Sequence, residues 1–214
     1  MQIRELSVPG AYELTPRQFG DPRGVFLEWF TAGSFAGAAG HAFGLEQANL
    51  SVSAAGVLRG VHFADIPPGQ AKYVTCPKGA VLDVAVDIRV GSPTFGQWDS
   101  VLLDDVDRRA IYLPEGVGHA FMSLEDDSTV LYLCSSGYAP EREHGIHPLD
   151  PELGIEWPTT ARDGSPLVPQ LSAKDEVAPT LAQALAAGTL PDAGTVEAYV
   201  AGLRRRAHED PTPA

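Results

Sequence analysis

Cysteine is nearly absent, with only Cys76 and Cys134 in 214 residues. Two thiols are too few for a disulfide framework, and neither sits in a metal-chelating spacing. Both fall inside apolar, strand-like runs, where a buried free thiol is the expected state. Long apolar runs are missing as well. No stretch approaches the about 18 residues that a membrane-spanning helix needs, and the N-terminus carries no signal-peptide pattern. The expectation is a soluble, cytoplasmic protein. Positive charge is scarce: 15 Lys and Arg stand against 28 Asp and Glu, a formal net charge of −13. Such a chain is a poor match for nucleic acid or an anionic membrane, so neither is expected as a partner. An anionic small molecule would be repelled at long range too, so a site for one must gather its few cations locally. Internal repeats and low-complexity tracts are also lacking.

What remains is the composition of a globular chain, 44% hydrophobic, long enough for one good core and an added tail. Period-two alternation dominates the middle. From Val81 to Ile88, Leu82, Val84, Val86 and Ile88 fall on one face, and Asp83, Ala85 and Asp87 on the other. Lys72 to Cys76 reads as a strand, with Pro77-Lys78-Gly79 as a turn into the next. Trp98 to Leu103, Ala110 to Leu113 and Thr129 to Ser135 continue the series, separated by turn signals at 91–93, 104–107 and 125–127. Short, evenly spaced strands with Gly and Pro punctuation predict an all-β sandwich or barrel, of which the jelly roll is one kind. Beyond about Gly145 the chain turns irregular and Pro-rich. Helical patterns follow at Thr180–Ala187 and Thr195–Ala207, the first with Pro179 ahead of it and Gly188 just past it. The expected layout is a jelly-roll domain over 1–150, a Pro-rich crossing segment over 151–179 and a helical tail over 180–214, frayed at its last residues.

Three places can carry chemistry. Arg59-Gly60-Val61-His62-Phe63, followed by Gln70-Ala71-Lys72, sets a histidine among apolar residues with cations on either side. This suits a proton-transferring His in a cavity for an anionic substrate. A satisfied core histidine with two snorkelling cations fits the spacing equally well. In Pro114-Glu115-Gly116-Val117-Gly118-His119, a turn delivers a His into a strand, as in the second sequence block of cupin-type jelly rolls, where such a His is often a metal ligand. The first block of a metal cupin needs paired histidines and a nearby carboxylate. Here Ala64 follows His62 at the relevant spacing and no Glu lies between His62 and Lys72, so no metal is expected. Tyr132 shares a strand face with Val130 and Cys134, where a core aromatic is the commoner outcome for a single Tyr. The run Arg204-Arg205-Arg206 reads as a helix-end cluster favoured by the helix dipole.

Taken together, these blocks resemble the dTDP-4-dehydrorhamnose 3,5-epimerase family, which acts on thymidine-diphosphate-linked 4-keto-6-deoxyglucose. The similarity runs from about Gly20 to Pro179. Its landmarks are Gly20 to Phe26, Gln47 with Asn49 and Ser51, Arg59 to His62, Gln70 to Lys72, Val84 to Arg89, Gly91 to Gly96, Pro114 to His119, Tyr132, Tyr138 with Pro140, Ile155 to Pro158, and Leu171 to Asp175.

The resemblance implies a cupin jelly roll, a homodimer whose N-terminal segment crosses to the partner, and isomerase chemistry that uses no cofactor. It makes His62 the general base, Asp175 its orienting partner, Tyr132 the acid on the other face of the sugar ring, and Lys72 the cation that stabilises the enolate. It assigns Arg59 to the pyrophosphate, with Arg23 coming from the neighbouring subunit. Gln47, Asn49, Phe19, Phe26, Glu28, Tyr138, Glu143 and His119 become binding residues, and Asp83 stands behind the pocket. The chain departs from the pattern at His147-Pro148-Leu149-Asp150, at Val117 and Ala120 around His119, and in a long tail beyond Ala186. These departures resemble the secondary-metabolite deoxysugar branch, some of whose members invert only C3 or only C5. A mono-epimerase and a 3,4-ketoisomerase are therefore the near alternatives; a metal-dependent cupin and a non-catalytic nucleotide-sugar-binding cupin are the distant ones.

Overall fold

The computed structural model describes residues 1–209. Four short strands open the chain, β1 (Gln2–Glu5), β2 (Tyr12–Thr15), β3 (Gln18–Asp21) and β4 (Gly24–Leu27), and helix α1 (Ala32–Ala39) follows. The body comprises β5 (Gln47–Ser53), β6 (Leu58–Ala64), β7 (Lys72–Lys78), β8 (Ala80–Asp87), β9 (Trp98–Asp104), β10 (Ala110–Leu113), β11 (Val117–Ser123) and β12 (Ser128–Cys134). Then come β13 (Glu143–Gly145), α2 (Ala173–Glu176), α3 (Leu181–Ala187) and α4 (Ala193–Glu209). One sheet has the order β1-β2-β10-β7-β12-β5 and the other β13-β6-β11-β8-β9, while β3 and β4 form a separate hairpin. From β9 onward the chain changes sheet at each step through β10, β11 and β12. That alternation wraps two sheets around one interior, the expected jelly roll.

The interior is filled by residues such as Val74, Cys76, Leu103, Ile111 and Val130. Strand β8 shows why the middle of the chain reads so strongly in sequence. Val84, Val86 and Ile88 do share a face, and it packs outward against Leu153, Leu181 and Ala184 of the later segment. The opposite face is not solvated. It turns into the barrel, where Ala85 joins the interior cluster and Asp83 and Asp87 are fully buried. Buried carboxylates need partners, so their presence marks the places where the interior is polar.

Other expectations are adjusted by the backbone. Strand β7 continues through Pro77 and Lys78, and the turn is made at Gly79 alone, with φ +82. Helix α3 starts as expected: Thr180 and Gln183 form a reciprocal capping box and Gly188 ends the helix in the left-handed region. Helix α4 begins two residues earlier than its apolar pattern suggests, because Asp192 accepts a bond from the Thr195 amide at 2.9 Å. Arg204 is not a dipole-bound helix-end cation, since α4 runs on to Glu209 and Arg204 Nε donates to the Ala39 carbonyl at 3.1 Å. The last residues, expected to fray, lie outside the described ones. Both cysteines are free and buried. Among the described residues no helix is long and apolar enough to cross a membrane.

Candidate active site

Strand β6 lies between β13 and β11, and its register sets His62 directly opposite His119. The two strands close on each other at Gly60, where φ is +118 and a Cβ would stand 2.5 Å from the His119 carbonyl oxygen and 2.6 Å from the Ala120 Cα. Only glycine fits there, and the ladder shifts register just beyond, between His119 and Phe121.

His62 Nε2 lies 2.7 Å from Asp175 Oδ1. Asp175 arrives from the far end of the chain on α2, a single turn capped by Ser172. The Ser172 hydroxyl accepts from the Asp175 amide at 3.2 Å and donates to its Oδ2 at 2.9 Å. The carboxylate is therefore fixed from both sides. Burial pushes its pKa up, but the bonds to His62, to Ser172 and from the Gly60 backbone outweigh this, and the net displacement is downward. Asp175 keeps 5% of its side chain exposed and His62 keeps 36%, so the imidazole faces the cleft while its partner is sheltered. His119 is fully engaged behind it, with Nε2 2.9 Å from each oxygen of Asp83. Burial holds His119 below the ordinary histidine value and raises Asp83, which favours a neutral imidazole.

The opposite wall belongs to the other sheet. Lys72 opens β7, where burial lowers its ammonium, partly offset by Cys134, Glu143 and Asp83. Tyr132 comes from β12; burial raises its phenol, which stays protonated at neutral pH. Arg59, His62, His119 and Asp175 meet Lys72 and Tyr132 across one cleft of about 440 Å³. A flat ring placed there is approached by an imidazole from one sheet and a phenol from the other. Among the described residues no three His, Cys, Asp or Glu side chains gather as a metal site.

Several expected binding residues lie elsewhere in the protomer. Phe19, Arg23 and Phe26 sit on the β3–β4 hairpin and Glu28 just beyond it, none of them in the cleft wall. Phe26 is 67% exposed, and the Arg23 side chain pairs with Asp21 in solvent. Gln47 and Asn49 bond to one another at 2.8 Å, and Gln47 also accepts from the Tyr138 amide at 2.8 Å; the Tyr138 side chain is exposed. Glu143 lines a small recess shared with His62, Gln70 and Lys72. Sequence reasoning missed Gln170, Ser172 and Lys174 as cleft residues. For Ser172 a signal existed, since Ser followed three residues later by Asp is a helix-start pattern.

This arrangement can be set beside known proteins. The family model described as dTDP-4-dehydrorhamnose 3,5-epimerase matches residues 5–183. The chain belongs to that family. It is accordingly an isomerase. A dTDP-4-dehydrorhamnose 3,5-epimerase of Mycolicibacterium smegmatis is 61% identical over 207 residues, covering 96% of this chain and 98% of that protein. A dTDP-4-dehydrorhamnose 3-epimerase of Streptomyces niveus is 56% identical, with 92% of each chain covered. Among solved structures, the Mycobacterium tuberculosis rmlC epimerase superposes with a TM-score of 0.91 at 53% identity, covering 95% of this chain and all of that one. A 3'-monoepimerase from Streptomyces bikiniensis, in complex with dTDP-quinovose, gives a TM-score of 0.88 at 50% identity, over 94% of this chain and 98% of that one. The epimerase family thus includes near relatives named for one inverted centre and others named for two.

Proposed function

We propose that this protein epimerises dTDP-4-keto-6-deoxyglucose at C3 and C5, by proton transfer beside the C4 ketone. The observation that carries the reading is the pair of opposed walls: His62 on one sheet, backed by Asp175 from α2, and Tyr132 with Lys72 on the other sheet, around one cleft. His62 takes the proton from the carbon next to the ketone, and the electron pair of that C–H bond moves onto the C4 oxygen. Asp175 holds the imidazole in place and stabilises the imidazolium as it forms. The Lys72 ammonium stabilises the enolate oxygen, a contribution of about 3 kcal/mol for one preorganised donor. The Tyr132 phenol then returns a proton to the same carbon from the opposite face, the ketone re-forms, and the centre is inverted. The ketone is the electron sink, so the chemistry calls for no redox cofactor. Arg59 is assigned to the pyrophosphate, for which its planar fork is suited. His119, kept neutral and held by Asp83, is assigned to binding the sugar.

The nucleotide end is assigned to a homodimer with N-terminal exchange. In support, the hairpin bearing Phe19, Arg23 and Phe26 contributes nothing to the wall of its own cleft and leaves its apolar side chains uncovered. Residues 151–179 are then assigned to completing the site, in support of which α2 carries Asp175, and 180–214 to an appended tail, of which α3 and α4 are the described part. A cytoplasmic location agrees with a sugar-nucleotide substrate.

A mono-epimerase is the second reading, favoured by the 3-epimerase of Streptomyces niveus at 56% identity. Mass spectrometry of the substrate incubated with the protein in heavy water separates the two. Two deuterons gained above an enzyme-free control support double epimerisation. One deuteron supports the mono-epimerase, with proton NMR identifying the centre. No gain overturns both.

A further inference from the structure

Between Gln170 and Pro179 the chain runs as a strap along the catalytic cleft, to whose wall it gives Leu171, Ser172, Lys174 and Asp175. Both ends of the strap are pinned. The Gln170 carbonyl accepts from the Leu58 amide at 2.9 Å, and the Gln170 amide donates to the Gly56 carbonyl at 2.8 Å. At the other end the Pro179 carbonyl accepts from the His147 amide at 2.8 Å. Among the described residues, 171–178 make backbone-to-backbone bonds only with one another, such as Glu176 to Ser172 at 2.9 Å. Asp175 is the only one of them that is buried. The strap therefore delivers one carboxylate, and its pinned ends fix where the backbone of Asp175 lies.

A fixed backbone does not aim the carboxyl group. The torsion that turns an aspartate carboxyl about its Cβ is broad and roughly two-fold. Besides the Gly60 backbone, the carboxylate has two side-chain partners among the described residues, and they hold different oxygens. His62 Nε2 lies 2.7 Å from Oδ1, and the Ser172 hydroxyl donates to Oδ2 at 2.9 Å. Without the second, the carboxyl group could swing about its bond to His62. The hydroxyl is itself held, because Oγ accepts from the Asp175 amide at 3.2 Å and has one proton to give. A helix cap needs only that accepted bond. The donated bond to Oδ2 adds nothing to the helical turn and serves the carboxylate alone.

We propose that Ser172 is a positioning residue for proton abstraction: its hydroxyl holds the Asp175 carboxylate in the orientation in which Oδ1 meets His62. The inference rests on the reading of His62 as the base. Ser172 acts on the sugar only through Asp175 and His62, although it lies on the cleft wall.

The test is the rate of deuterium incorporation into dTDP-4-keto-6-deoxyglucose by the full chain in heavy water, over a range of substrate concentrations that separates kcat from KM. Ser172→Gly removes the hydroxyl but leaves a residue tolerated at helix caps, so its melting temperature should stay near the parent's. Its kcat should fall about tenfold, the order of one hydrogen bond to a charged group. KM and the affinity for dTDP should hold. Ser172→Thr, which keeps both bonds, should restore most of the rate. In an Asp175→Ala background Ser172→Gly should slow exchange no further, because the group it positions is gone. Ser172→Gly at the parent kcat, a loss carried by KM or dTDP affinity instead, a Thr variant no faster than the Gly one, or an undiminished effect in the Asp175→Ala background would each overturn the proposal. Absence of exchange in the parent protein would overturn the His62 reading along with it, which keeps the two failures distinct.

Discussion

Replacing Asp175 with Asn tests the centre of the mechanism, because it removes charge while keeping shape. The amide oxygen can still accept from His62 Nε2, at the 2.7 Å the carboxylate now occupies, and the backbone amide keeps its bond to Ser172 Oγ. The Ser172 hydroxyl can turn to accept from the new amide group, so the capped turn stays formed. What disappears is the negative charge that, on the proposed mechanism, stabilises the imidazolium as His62 takes its proton. A hydrogen bond to a charged group contributes about 1.5–3 kcal/mol, more than a neutral one by about 1 kcal/mol or more. Asp175 is nearly buried, with 5% of its side chain exposed, so solvent does little to replace the lost charge. At 1.36 kcal/mol per decade, the loss should slow turnover about 10- to 100-fold. The assay is the initial rate of deuterium incorporation from heavy water at saturating substrate, with the melting temperature as the check on folding. Affinity for dTDP, which does not touch this carboxylate on the proposed reading, should hold. Asp175→Ala, which loses orientation as well as charge, should be slower again. A folded Asp175→Asn protein exchanging within about twofold of the parent rate would refute the dyad and with it the assignment of His62 as base.

Three further outcomes follow from the same geometry. Tyr132→Phe should retain more exchange than inversion, because abstraction and reprotonation use opposite walls of the cleft; inversion of both centres at the parent rate, read by proton NMR, would remove Tyr132 from its role. Gly60→Ala places a Cβ 2.5 Å from the His119 carbonyl oxygen at φ +118, and overpacking with backbone strain should cost about 2–4 kcal/mol in urea unfolding. Asp87 is buried, which acts to raise its carboxyl, but its bonds to Arg89, Ser92 and Thr94 more than reverse this and hold it at about 2, against 3.8 for the free group. A carboxyl depressed in the fold binds fewer protons than in the unfolded chain, so its stabilisation, about 2 kcal/mol, is complete above about pH 4 and lost as pH falls toward 2. The unfolding free energy of Asp87→Asn should therefore lie about that far below the parent at pH 7, with the gap reduced to about half at pH 3 and nearly closed at pH 2.

The strands most legible in the sequence are those that bury both faces. Val81 to Ile88 could be read because its large apolar residues recur on one face, and Ala110 to Leu113 because it is an unbroken apolar run, which is strand β10 to the residue. The N-terminal strands left no comparable trace. β1, β3 and β4 carry almost wholly exposed side chains, so backbone pairing rather than a buried face defines them. The site was legible in a different way. Local pattern could place His62 and Lys72 near one another, but left a satisfied core histidine equally open. The partner that fixes the imidazole is 113 positions away, on a helical turn of four residues too short to show a period. Only resemblance to a family linked Asp175 to His62 before the coordinates did.

The same limit applies to Asp83, which the alternation could place only on the strand face opposite Leu82, Val84 and Val86. Alternation reports that two faces of a strand differ, not which of them is wet. In β8 the face bearing charge points inward, and its aspartate meets the one histidine that β11 turns toward it. Each histidine of the cleft therefore has its own carboxylate, yet the two pairs differ in exposure. His62 opens 36% of its side chain to the cleft, whereas His119 keeps 8%. An imidazole that must exchange protons with a substrate needs that opening, and one that only holds a ring in place does not. On burial alone, before any role is borrowed from relatives, the greater opening favours His62 over His119 for the proposed proton transfer.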